Sequence, residues 1–154
     1  MFCEVCVANQ WDKFADRFEE AQKIAREKHE QQKINEDFIS THGYDSWNEL
    51  GRTVQEICDH INSRRKGSES FTFRRENELR FVVTSNVVRG QVRLDATFSQ
   101  LTKVIDWRLD GVEGVATRGK LTPTRVDDKF MYSGEGLMPS SVPETAQFLV
   151  KMTF

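Results

Sequence analysis

The sequence predicts an α+β fold: two amphipathic N-terminal helices followed by a curved antiparallel meander of about six or seven strands. Three observations predict it. Up to about residue 63 apolar residues recur every three or four positions, the period of one helix face; beyond it they recur every second position, the period of a strand. The charge balance changes sign at the same place. Residues 1–62 carry seven Lys/Arg and thirteen Asp/Glu, a balance of −6, whereas residues 63–154 carry fifteen and eleven, a balance of +4. Lastly, the alternating segments are joined by connections too short for parallel crossovers, which implies antiparallel pairing.

The first helix is expected over roughly residues 10–33. Trp11, Phe14, Phe18, Ala21 and Ala25 form its apolar stripe, Asn9 is its N-cap, and Asp12 and Asp16 sit near the positive end of its dipole. The following segment, Arg26-Glu27-Lys28-His29-Glu30-Gln31-Gln32-Lys33, is polar on every side, so it projects into water or meets a partner outside this chain. Asn35 to Asp45, with Gly43, reads as a connection. The second helix then starts near Asp45 or Ser46, with Ser46 and Glu49 at capping-box spacing. Its stripe is Trp47, Leu50, Val54, Ile57 and Ile61, and Arg64-Arg65-Lys66-Gly67 signals its end.

From Phe71 the alternation sets in. Leu79, Phe81 and Val83 share one face and Arg80, Val82 and Thr84 the other; a turn falls at Arg89-Gly90. Val92, Leu94, Ala96 and Phe98 then alternate with Arg93, Asp95 and Thr97. Ile105, Trp107 and Leu109 alternate with Asp106 and Arg108, before Asp110-Gly111 opens the next turn. A weaker strand through Val115, Thr117, Gly119 and Leu121 ends at Pro123, and another runs through Val126, Phe130 and Tyr132 to Gly134-Glu135-Gly136. Ser141, Pro143 and Glu144 suit a helical turn over 142–146. The alternation of Ala146, Phe148, Val150, Met152 and Phe154 favours a strand from there to Phe154.

No linker, repeat or low-complexity run divides the chain, so it reads as a single domain over 1–154, a helical layer at 1–66 and a sheet at 67–154. Its apolar fraction of 38% and sixteen aromatics provide for a packed core. No run approaches the ~18 apolar residues of a membrane span, and the start MFCEVCV lacks a basic leader, so a cytoplasmic protein with reduced thiols is expected. In element order, helices then meander, the plan is similar to cystatin-like and helix-grip architectures, a likeness that carries no function.

Motifs with chemistry are sparse. Cys3-Glu4-Val5-Cys6 has zinc or redox spacing, but the nearest second pair, Cys58-Asp59-His60, puts two ligands on opposite sides of a helix, so no metal and no cofactor are expected. His29, His42 and His60, the adjacent acids Glu19-Glu20, Glu36-Asp37 and Asp127-Asp128, and Thr-Arg-Gly-Lys at 117–120 do not converge on a catalytic arrangement, and enzymatic activity is disfavoured. Two binding surfaces remain. Arg80, Arg93 and Arg108 lie on the polar face of three successive strands, extendable by Arg118 and Lys120, where they can hold an anion or acidic partner. Nucleic acid is a poor fit because the aromatics lie on the opposite face. That opposite face offers Phe81, Phe98, Trp107, Phe130 and Tyr132 as the lining of a pocket for a small hydrophobic ligand, or for an enzyme of that shape, unless the helices fill it. The favoured function is a non-catalytic binding or assembly module acting through protein–protein contacts, with another protein or a second copy, by way of the exposed helix surface.

Overall fold

The computed structural model describes residues 4–65, 70–87, 90–111 and 116–154. Its elements, in order, are α1 (Glu4–Arg64), β1 (Phe71–Asn77), β2 (Arg80–Val87), β3 (Gly90–Phe98), β4 (Ile105–Asp110), β5 (Ala116–Val126), β6 (Lys129–Gly134), β7 (Leu137–Ser140) and α2 (Val142–Lys151). The fold is α+β. All seven strands pair antiparallel in chain order, one meander. The backbone divides into two compact units, Met1–Asp37 and Phe38–Phe154.

Where the sequence suggests two helices, there is one of 61 residues. The expected connection, Asn35 to Asp45, is helical throughout. A glycine inside a helix costs about 1 kcal/mol relative to alanine, and at Gly43 packing outweighs it. Gly43 is buried, and a β-carbon there would lie 2.9 Å from Cγ of Lys103. This glycine is a site of close approach, not a stop. Phe38 adds a ring contact with Phe130, stacked at 6.5 Å between centroids, which ties the same turn to β6.

In the unit Phe38–Phe154, the second half of α1 covers one face of the sheet. Trp47, Leu50, Val54 and Cys58 enter a core shared with Phe81, Val83, Leu94, Ala96, Phe98, Ile105, Leu121 and Tyr132. The Trp47 indole stacks on Phe81 and Phe98, at 5.0 and 5.5 Å, and its Nε1–H donates to the Glu78 carbonyl at 2.8 Å. Burying that ring and closing its one donor fixes α1 over the β1–β2 turn. Asn62 anchors the other end: its Oδ1 accepts from the Phe71 amide at 3.0 Å and its Nδ2 donates to the Phe71 carbonyl at 2.7 Å.

The expected register holds. Phe81 faces Ala96, which faces Trp107, which faces Gly119. Leu94, Phe98 and Ile105 are buried with them, Leu79 packs at the margin, and Arg93 is exposed. Two strand boundaries move. β5 runs through Pro123 to Val126, because its ladder with β4 ends at Ile105↔Leu121, and beyond that point it pairs on one side only, where a residue without N–H is tolerated. Val126 thus closes β5, and Asp127-Asp128, both at positive φ (49° and 61°), make the two-residue hairpin turn to Lys129. Residue 89 and Val115 lie outside the described residues.

The C-terminus corrects the sequence reading: Val142–Lys151 is helix, and 147–154 holds no strand. Ser141 caps it, accepting from the Glu144 amide at 3.4 Å and donating to the Glu144 carboxylate at 2.9 Å. The buried residues are Val142, Thr145, Ala146, Leu149 and Val150, a spacing of three and four. That stripe buries more than the alternating set, whose Phe154 is exposed.

Candidate functional site

The outer face of the sheet, opposite α2 and the part of α1 from Phe38 onward, carries the arginines singled out in the sequence. They share the face but not one row. The register sets Arg80 opposite Thr97, Arg93 opposite Thr84 and Asp110, and Arg108 opposite Asp95 and Arg118. Their common neighbour is Asp95. Arg80 grips it with both ends of its fork, Nε to Oδ1 at 2.8 Å and Nη2 to Oδ2 at 2.5 Å, while Arg93 lies 3.7 Å away. The Arg80 hydrogen bonds hold the Asp95 carboxyl below the usual aspartate range against partial burial, with Arg93 and Arg108 adding to the effect.

Beside this cluster runs an open groove of about 670 Å³, lined among others by Arg80, Asp95, Arg108, Arg118 and Lys120. Arg108 bonds Asp110 at 3.0 Å and Lys120 lies 3.9 Å from Asp106. Arg118 has no ion pair among the described residues, and it stands directly across from Arg108. Like charges opposite one another are unfavourable unless an anion joins them. The groove can therefore hold an oxyanion by paired guanidiniums.

The five aromatics proposed as a pocket lining lie on the inner face. Phe81, Phe98, Trp107 and Tyr132 belong to the buried core, and Phe130 packs against it. Trp47 of α1 stacks on Phe81 and Phe98, and Leu50 belongs to the same core. Of the five, Trp107 alone lines the outer groove, beside Gly119. The Tyr132 hydroxyl is buried without a hydrogen-bond partner among the described residues, and burial followed by the nearby Glu49 charge raises its pKa.

Two surfaces were not foreseen. A second groove of about 490 Å³ lies between α1, β7 and α2, lined by Ile57, Leu137, Phe148, Val150 and Phe154 among others. Its signal was the C-terminal apolar residues, which a strand reading sends elsewhere. The other is in the unit Met1–Asp37. Trp11, Phe14 and Phe18, the large residues of the apolar stripe expected there, are 66%, 66% and 61% exposed. Trp11 and Phe14 touch edge to face at 6.5 Å, and Phe18 follows four residues on along the same helix.

Cys6 is an exposed free thiol and Cys58 a buried one, whereas Cys3 lies outside the described residues. No helix among the described residues is long and apolar enough to cross a membrane. No protein-family model, curated protein or solved structure matches this chain.

Proposed function

We propose that this chain is an assembly module, not an enzyme, and that it acts through protein–protein contacts made by the N-terminal part of α1. The observation that carries this reading is the aromatic stripe. Three large rings within eight residues, each more than half exposed, form an apolar surface of the kind that soluble proteins reserve for partners. Their 3–4 spacing suits a helix laid against another helix. The acidic and basic residues around the stripe keep the segment soluble until it is covered.

A photoreactive residue in place of Trp11 or Phe18, in the full chain in cell lysate, tests this. Capture of another protein, or of a second copy, at that position supports the reading. If neither position captures any protein, the stripe is not a contact surface and the proposal fails.

A second reading rests on the outer groove, where Arg118, with no ion pair among the described residues, stands across from Arg108. There the chain would bind a phosphate- or sulfate-bearing ligand, with Arg108 and Arg118 as the clamp. Inorganic phosphate titrated by calorimetry should bind, and Arg118→Gln should abolish the heat. Heat unchanged in that variant overturns the clamp.

A further inference from the structure

We propose that the partner of the aromatic stripe is a second copy of this chain, paired antiparallel as a two-stranded coiled coil. This rests on the protein–protein reading above. The argument is one of volumes. Val7, Trp11, Phe14, Phe18, Ala21 and Ala25 fall at spacings of four and three, the a and d positions of a heptad. The large residues lie toward one end and the alanines toward the other. A parallel pair stacks Trp11 on Trp11, Phe14 on Phe14 and Phe18 on Phe18, then alanine on alanine, with crowding at one end and voids at the other.

Reversing one copy removes the mismatch. Antiparallel pairs pack a against d positions, and one register satisfies every layer. Val7 then meets Ala25 of the other copy, Trp11 meets Ala21, and Phe14 meets Phe18. Each large ring faces a small residue or fits an offset ring pair, so the seam is even along its length. The interface is isologous and closes on itself as a dimer.

The area suffices. An aromatic side chain carries about 150–250 Å², and these three are 66%, 66% and 61% exposed. Six rings from two copies thus remove on the order of 800 Å² from water. Val7, Ala21, Ala25 and the aliphatic stems along the seam bring the total past the roughly 1,000 Å² that marks a specific interface. The flanks give a second signature. In this register Arg17 stands across from its own copy, and the paired stretch 7–25 carries four acids against three bases, so charge opposes the pairing. Salt should strengthen it.

The test uses the full chain. Sedimentation equilibrium at micromolar concentration should give twice the 17.9 kDa chain mass, with an association that rises with salt. Phe18→Glu should give a monomer that keeps the strand signature of the wild type and whose thermal midpoint, unlike the wild type's, does not rise with protein concentration. Two cysteine variants, in a background with Cys3 and Cys6 changed to Ser, read the register under mild thiol oxidation. Ala15→Cys lies beside its own copy in the antiparallel pair and should cross-link. Ala21→Cys faces Trp11 there and should not, whereas a parallel pair reverses both results and overturns the inference. A monomer at all concentrations also overturns it. If the photoreactive stripe then captures another protein, only the choice of partner has failed. If it captures nothing, the protein–protein reading falls as well, and co-sedimentation with phosphatidylcholine vesicles would assign the stripe to a lipid surface instead.

Discussion

A β-carbon on Gly119 would lie 2.3 Å from Cζ2 of Trp107, its cross-strand partner on β4. The indole lies across β5 and is 8% exposed, so the absence of a side chain at Gly119 is what lets β4 place so large a ring at this point. Gly119→Ala should cost about 1–3 kcal/mol, the range for forced overpacking. Urea denaturation reads it. Combining it with Trp107→Phe should cost less than the two single changes added together. An unchanged midpoint for Gly119→Ala would show that the ring has room to move.

Tyr132 is fully buried and its hydroxyl has no partner among the described residues. A buried polar group left unpaired costs about 1–3 kcal/mol, and phenylalanine keeps the ring contact with Phe130 at 5.2 Å. Tyr132→Phe should therefore raise stability by about 1 kcal/mol. A drop in the thermal midpoint would show that the hydroxyl has a partner after all.

Cys58 couples stability to alkaline pH. Burial, then the Asp59 charge, pushes its thiol up to about 11, against about 8.5 in an unfolded chain. The folded state thus favours the protonated thiol. This contribution is complete below about pH 8.5 and is lost as pH rises through the folded value. Stability should fall over that window, and Cys58→Ala should remove this part of the fall. In the native protein at pH 8, a maleimide should label Cys6 and spare Cys58. Equal labelling rates would contradict the burial.

Asp95 works at the other end of the scale. Its folded pKa is lowered, first by the Arg80 hydrogen bonds, so it stabilises the fold above the unfolded value of about 3.9 and loses that effect as pH falls through the folded one. Asp95→Asn should flatten the acid limb of stability below about pH 4. With Asp95 neutralised, Arg80, Arg93 and Arg108 lose their common counterion, and phosphate binding in the outer groove should tighten. A steeper acid limb in the variant would reverse the assignment.

The sheet was legible because its signal is strictly local. Leu94 and Arg93 point to opposite faces whatever surrounds them, and a buried face fixes register. The inner and outer faces could thus be read residue by residue, including the shared face of Arg80, Arg93 and Arg108. Their order within it could not, since the offset that brings Arg108 opposite Asp95 and Arg118 depends on where each hairpin turns. Trp47 and Trp11 show the limit for helices. Both head an amphipathic stripe, yet one is buried and the other 66% exposed, and periodicity finds an apolar face without naming what covers it. At the C-terminus two periods coexist, and Leu149 and Thr145 decide between them only once a sheet is present to bury them.

The longest misreading, the break between Asn35 and Asp45, yields the most direct test of α1. A loop there would accept proline at Ser40, an exposed position. A continuous helix would not. Proline at 40 removes the hydrogen bond to the Glu36 carbonyl and drives its ring against that carbonyl, costing about 3 kcal/mol or more. The neighbouring Phe38 is held by Phe130, and the Arg125 guanidinium lies 5.0 Å from the Phe38 ring, so the turn cannot unwind without losing contacts to β5 and β6. Ser40→Pro should therefore lower both helical ellipticity and the unfolding midpoint, while Ser40→Ala leaves them unchanged or slightly raised. A Ser40→Pro variant as stable as the wild type would restore the two-helix reading and leave Gly43 as a stop.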